Sequence, residues 1–194
     1  HRVAAVLTAT GLPAPEPDAV APDPAISVVV PTNRPQQLDH VFGTIGRQSH
    51  RQVQLVLVQH GFAEAAAELA ARAAAAGVTE LVALTAPDSA TLGRCLNLGV
   101  GAADGDFLAK LDDDNFYGRH YLRDLVRAFS YTDAAVVGKW AHLVHLESSQ
   151  ATLLRFGHAE HRYTDLVQGG TIMTRRDTAV RLRFEDLPRR VDTT

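Results

Sequence analysis

Cysteine is almost absent. Cys95 is the one thiol in 194 residues, which excludes an internal disulfide and any multi-cysteine zinc site. A reducing, cytoplasmic setting is therefore expected. Long apolar runs are missing as well, and nothing approaches the roughly 18 residues that a membrane-spanning helix needs. The opening HRVAAVLTATGL is too short and too broken by threonines for a signal peptide. It starts with His1, as expected for a piece of a longer chain. Excess positive charge is lacking: 19 Lys and Arg against 22 Asp and Glu leave a net charge of −3. That balance argues against a chain built to grip nucleic-acid phosphates. Lysine itself is scarce, with only Lys110 and Lys139. What is present, 46% hydrophobic and 21% charged residues, suits an ordinary folded domain able to bury a core.

Five of the nine prolines fall in PAPEPDAVAPDP, residues 13–24, which reads as a stiff extended linker. Residues 1–12 read as the tail of an upstream domain, and residues 25–194 as one domain whose C-terminal part is truncated. Within it, ISVVVPT (Ile26 to Thr32) is a continuous β-branched run, as expected of a strand buried on both faces. Apolar residues at helical spacing predict a helix over Gln36 to Gln48, although Gly43 and Gly46 weaken it. A strand over Val53 to Gly61, a helix over Phe62 to Gly77 and a strand over Thr79 to Pro87 follow. Next come a helix over Thr91 to Ala103, with Cys95 on its apolar stripe, and a strand over Phe107 to Asp114. Such alternation predicts an α/β fold, a mostly parallel sheet flanked by helices. Beyond Asp114 the rhythm changes: a helix over Tyr121 to Tyr131, one strand over Ala134 to Leu146, and a short strand opened by Gly169 and Gly170. This half reads as mixed α+β. Ligands of open α/β sheets bind beyond the carboxyl ends of the strands. That rule gathers Thr32, Asn33, Gln59, His60, Pro87 and Asp112 to Asp114 round one crevice.

The run Asp112-Asp113-Asp114 carries the strongest chemical signal. Three adjacent carboxylates at the mouth of an apolar strand repel one another and serve no purpose in the sheet. Alternation along an extended chain points Asp112 and Asp114 to one side and Asp113 to the other. Two convergent carboxylates suit Mg²⁺ or Mn²⁺ and leave coordination positions for substrate phosphates. An acidic turn with a helix cap is the competing reading. Lys110 shares the side of Asp112, within reach of an acid or a diphosphate.

Four segments in order resemble family 2 glycosyltransferases of the GT-A fold, in which a Rossmann-like nucleotide-binding half adjoins a mixed acceptor half. They are ISVVVPTNR (Ile26 to Arg34), LGRCLNLGVGAADGDFLAKLDDDN (Leu92 to Asn115), GGTIMTRR (Gly169 to Arg176) and FEDLPRRVDT (Phe184 to Thr193). The resemblance implies an inverting, metal-dependent transferase that uses a nucleotide-diphospho sugar. The acceptor it implies is a cell-surface polysaccharide, a lipid-linked glycan or a small molecule. It places Pro31, Thr32, Asn33, Arg34, Gln59, His60, Asn97, Lys110, Asp112 and Asp113 at the nucleotide. Asp112 and Asp114 become the DxD metal motif for Mn²⁺ or Mg²⁺, Gly169 and Gly170 the acceptor side, and Asp192 the catalytic base. Gln59 and His60 replace the Asp that reads uracil in relatives, and a UDP-sugar stays favoured. Val191 replaces the usual Glu before the base, and Asn115, a helix-capping residue by type, ends the acidic run. A sugar-phosphate nucleotidyltransferase and a non-catalytic domain that binds a nucleotide or a partner stay open. His142, His145, His158 and His161 offer one further metal ligand, although scattered histidines are more often ordinary polar residues.

Overall fold

A computed structural model describes residues 23–187. The first half is a βα alternation: β1 (Ile26–Thr32), α1 (Leu38–Gly46), β2 (Val53–His60), α2 (Ala66–Ala75), β3 (Glu80–Ala86), α3 (Leu92–Ala102) and β4 (Phe107–Lys110). The second half adds α4 (Tyr121–Ala128), β5 (Val136–Val137), β6 (His142–Leu146), β7 (Ala151–Arg155), β8 (Met173–Arg175) and α5 (Arg176–Leu182). Six strands form one sheet in the order β3-β2-β1-β4-β8-β5, and β6 and β7 form a separate hairpin. The first four strands are parallel, while β8 runs antiparallel to both of its neighbours. The expected mostly parallel sheet is therefore present.

The β-branched run of β1 explains why it lies at the centre. Ile26, Val28 and Val30 face one layer, with Leu38, Phe42 and Ile45 of α1, Leu69 of α2 and Leu122 of α4. Val29 faces the other, with Leu96 and Val100 of α3 and Ala179 of α5. Period-two alternation thus fills two apolar layers from one strand. Thr91 ends its loop by accepting the Arg94 N–H at 3.1 Å, an N-cap that starts α3. Beyond the strand ends, the chain order places Thr32, His60, Ala86 and Lys110 along one edge.

Four expectations need correction. The fourth strand stops at Lys110, because beyond it Asp113 and Asp114 form a turn. The helix after β2 begins at Ala66, since Gly61 takes a positive φ of 78° and a loop follows. The single strand expected over Ala134 to Leu146 is split at Gly138: β5 joins the main sheet and β6 turns away to pair with β7. Gly169 and Gly170 open a 3₁₀ turn, Gly169–Thr171, and the strand starts only at Met173. The hairpin has little core of its own, and Leu143 and its cross-strand partner Leu154 are exposed.

The two glycines of α1 differ in kind. A Cβ on Gly46 would fall 1.8 Å from the Ala76 carbonyl oxygen, a backbone atom that cannot step aside, whereas a Cβ on Gly43 would meet only the Arg47 side chain at 3.7 Å. Gly43→Ala is expected to stabilise the fold by up to about 1 kcal/mol through helix propensity. Gly46→Ala is expected to cost about 1–3 kcal/mol by overpacking. Urea unfolding of the two variants beside wild type measures both signs.

Candidate active site

The sheet order reverses beside β1: β2 leaves it to one side and β4 flanks it on the other. A crevice at the carboxyl ends of such a pair is the usual ligand position in open α/β sheets. The turn after β1 and the acid run after β4 meet there. The Thr32 hydroxyl donates to Asp113, and the Arg34 guanidinium reaches Asp113 through both Nε, at 3.1 Å, and Nη2. Nη2 also lies 3.0 Å from Asp114 Oδ2. The hydrogen bonds to Asp113 and then Asp114 raise the Arg34 pKa further above its ordinary value, so its charge is permanent. Asp113 is buried, whereas the Asp114 side chain is 49% exposed.

Asp112 is held differently. Buried Lys110 places its ammonium 2.9 Å from Asp112 Oδ1, the same-side pairing that alternation predicts. The Asp112 N–H donates to the Tyr117 hydroxyl at 2.9 Å, and that hydroxyl donates to the Gly170 carbonyl at 2.7 Å. Burial pushes the Tyr117 pKa up, so the phenol stays protonated and remains a donor. The Asn115 amide donates towards Asp112 Oδ2 at 3.3 Å and the Tyr117 oxygen at 3.4 Å. The Asn115 backbone carbonyl accepts from His40 Nε2 at 2.9 Å. Asn115 therefore braces the acid turn and caps no helix; His120 stands at the N-cap of α4. Gly170 lies against the carboxylate, where a Cβ would fall 2.3 Å from Asp112 Oδ2.

Three placements differ from the sequence expectation. Extended alternation put Asp112 and Asp114 together with Asp113 opposed. Because the strand ends at Lys110, Asp113 and Asp114 instead share Arg34, and Asp112 turns to Lys110 and Gly170. Gln59 is buried, and its Oε1 accepts the Glu64 N–H at 2.7 Å, so this oxygen closes a loop. Neighbouring His60 Nε2 donates to the Asp88 carbonyl at 3.2 Å. Asn97 is spent on the backbone of Phe184, donating to its carbonyl at 2.7 Å and accepting its N–H at 2.9 Å. Pro31 ends β1 with Thr32, and Asn33 lies exposed in the turn that follows. Asp192 lies outside the described residues. Among the described residues no group of three or more His, Cys, Asp and Glu side chains is arranged to hold a metal ion, His142, His145, His158 and His161 included. Tyr117 went unnoticed in the sequence, its signal being only an aromatic two residues beyond the acidic run.

The sequence profile described as glycosyl transferase family 2 matches residues 27–186. None of the curated proteins matches the chain. Among solved structures, the mannosyltransferase PcManGT from Pyrobaculum calidifontis, in complex with GDP-Man and Mn²⁺, superposes with a TM-score of 0.64 at 19% identity. That likeness covers 89% of this chain and 52% of that one. S. aureus TarS, residues 1–349, superposes with a TM-score of 0.68 at 16% identity, over 87% of this chain and 52% of that one. Its complex with UDP-GlcNAc gives 0.63 at 15% identity, over 87% and 51%. At these identities the likeness shows the fold alone. The chain spans about half the length of the structures it matches.

The Tyr117 hydroxyl hydrogen-bonds both the acid turn and the glycine turn. Tyr117→Phe leaves the Asp112 N–H and the Gly170 carbonyl without that partner, and the expected cost is about 1–3 kcal/mol. Urea denaturation measures the loss.

Proposed function

The chain belongs to glycosyl transferase family 2, and on that premise we propose that it moves a sugar from a nucleotide-diphospho sugar to a hydroxyl acceptor with inversion. A glycan, a lipid-linked glycan or a small molecule supplies the hydroxyl, and the setting is cytoplasmic. No helix among the described residues is long and apolar enough to cross a membrane. One observation carries the reading: the acid run stands at the carboxyl ends of β1 and β4, held between Arg34 and Lys110. Cations and carboxylates alternating in a crevice suit a diphosphate and a divalent ion together.

The chemistry of the carboxylates, rather than a convergence of Asp112 with Asp114, suits a hard cation. Asp112 and Asp114 offer oxygen donors with side chains 38% and 49% exposed, and Gly170 keeps the space beside Asp112 free of a side chain. In this reading Asp112 and Asp114 hold Mn²⁺ or Mg²⁺, which when bound neutralises the diphosphate. Arg34 faces the same phosphates with a charge that never titrates, and Asn33 lies beside the nucleotide. Asp192 takes the proton from the acceptor hydroxyl as its oxygen attacks the anomeric carbon. The bond from that carbon to the diphosphate breaks, and the nucleoside diphosphate leaves with the electron pair. One displacement inverts the centre. PcManGT was solved with GDP-Man and Mn²⁺, and TarS with UDP-GlcNAc. These support a nucleotide-sugar donor, with uridine favoured here.

Ligand that binds only the folded chain stabilises it by about 2.7 kcal/mol at a hundredfold excess over its Kd. UDP with Mn²⁺ is expected to raise the Tm more than UDP in EDTA. Asp114→Ala and Gly170→Ala are each expected to remove the Mn²⁺-dependent part. A thermal-shift series with UDP and GDP, with and without Mn²⁺, reads this directly, and equal shifts in Mn²⁺ and EDTA would overturn the metal assignment.

A further inference from the structure

The carboxylates that a divalent ion would use are drawn apart by the chain's own cations. Arg34 Nη2 bridges two acids, reaching Asp113 and lying 3.0 Å from Asp114 Oδ2. Lys110 Nζ lies 2.9 Å from Asp112 Oδ1. Asp114 is therefore pulled towards the turn after β1, and Asp112 towards the end of β4. The two cations differ in their freedom. Lys110 is buried, whereas the Arg34 side chain is 38% exposed. The root of Arg34 is anchored, because its backbone N–H donates to Thr32 Oγ1 at 3.0 Å. Its Nε donates to buried Asp113 at 3.1 Å, a bond that is costly to give up. Nη2, which also faces the half-exposed Asp114, is the part of the fork able to change partner without deserting Asp113. The Thr32 hydroxyl, donating to Asp113 as well, helps to keep that acid satisfied.

We propose that Arg34 is an exchange residue: its Nη2 leaves Asp114 for the diphosphate of the donor, and Asp114 is thereby released to join Asp112 on the ion. The inference rests on the reading of this crevice as a site for a nucleotide-diphospho sugar and a divalent ion. A fixed positive charge 3.0 Å from a carboxylate engages one of its oxygens and repels a second cation. A diphosphate is the stronger partner for a guanidinium, since it carries more negative charge than Asp114 and offers oxygens in pairs that match the planar fork. The nucleotide therefore unlocks the ion's ligand as it binds. By linkage, the factor by which the nucleotide tightens ion binding equals the factor by which the ion tightens nucleotide binding. An ion that merely bridges protein and phosphate gives coupling as well, but in that case Arg34 does not hold the ion back when the nucleotide is missing.

The test measures the Kd of Mn²⁺ on the whole chain, from the electron paramagnetic resonance signal of the unbound ion, with and without UDP or GDP. Arg34→Gln is expected to tighten the binding of Mn²⁺ alone by about fivefold, the worth of a partly exposed ion pair. The same variant is expected to weaken the binding of UDP or GDP in EDTA. General damage to the crevice weakens both, so the opposite signs are the signature of exchange. Arg34→Lys keeps a charge beside buried Asp113 but has no fork to span two acids. It is expected to tighten Mn²⁺ alone by a smaller factor, and it carries the test if Arg34→Gln does not fold. An affinity for Mn²⁺ alone that is unchanged or weaker in the folded variants would overturn the exchange and leave the transferase reading standing. So would nucleotide binding in EDTA that ignores Arg34→Gln. A wild-type chain that takes up no Mn²⁺ even at saturating nucleotide would overturn the metal assignment, and the exchange with it.

Discussion

Three neighbouring carboxylates at the end of a buried strand repel one another, and the upper edge of the sheet is arranged round that repulsion. Two unit charges about 4 Å apart at the protein surface interact by roughly 4 kcal/mol. Leaving the run uncompensated would therefore consume a large part of a domain's stability. The compensation is specific. Arg34 arrives from the turn after β1 and spans two acids at once, which its planar fork permits and a lysine's single point charge does not. Lys110, the last residue of β4, lies buried under the third. In a chain with only two lysines, one is placed at this spot.

The neutral groups complete what the cations begin. Tyr117 binds the Asp112 N–H with its oxygen and the Gly170 carbonyl with its hydrogen, so one phenol ties the two halves of the chain together. The half that carries the acids is rigid by construction, with β1 paired on both sides and apolar on both faces. The other half is looser. Its hairpin, β6 and β7, shows leucines to solvent, and small isolated hairpins are stable only when something packs on them.

Much of the first half was legible, because β-branched runs and helical spacing report burial directly. Ile26 to Thr32 forms the strand its composition demands, and Thr91 caps the helix it precedes. The acid run and its lysine were legible for the same reason: carboxylates beside an apolar strand have no structural excuse. Their directions were not. Alternation holds only while the chain stays extended, and the turn at Asp113 and Asp114 redirects both towards Arg34. The fate of Gln59 and Asn97 was illegible because an amide serves a ligand or a backbone equally well. Only the position of Glu64 or Phe184, distant in sequence or across a loop, decides which. The split at Gly138 was hidden too, since both pieces read as β and only the partner strands distinguish them.

The order of the strands also has a kinetic consequence. Pairing β1 with β2 joins residues 27 apart, Ile26 and Val53, whereas pairing β1 with β4 joins residues 81 apart, Ile26 and Phe107. The β4–β8 pairing joins Ala109 to Met173, 64 apart. Contacts of large sequence separation form late, because loop closure must be met before they reward the chain. By sequence separation the βα units of β1 to β3 are expected to form early, and the pairings of β4 with β1 and β8 late. The acids, Arg34 and Gly170 are assembled by those late pairings. Until then the carboxylates stay in water, where their mutual repulsion is about a quarter of its value at the finished surface. The chain meets its least favourable electrostatic encounter only in the step that also delivers the counter-charge.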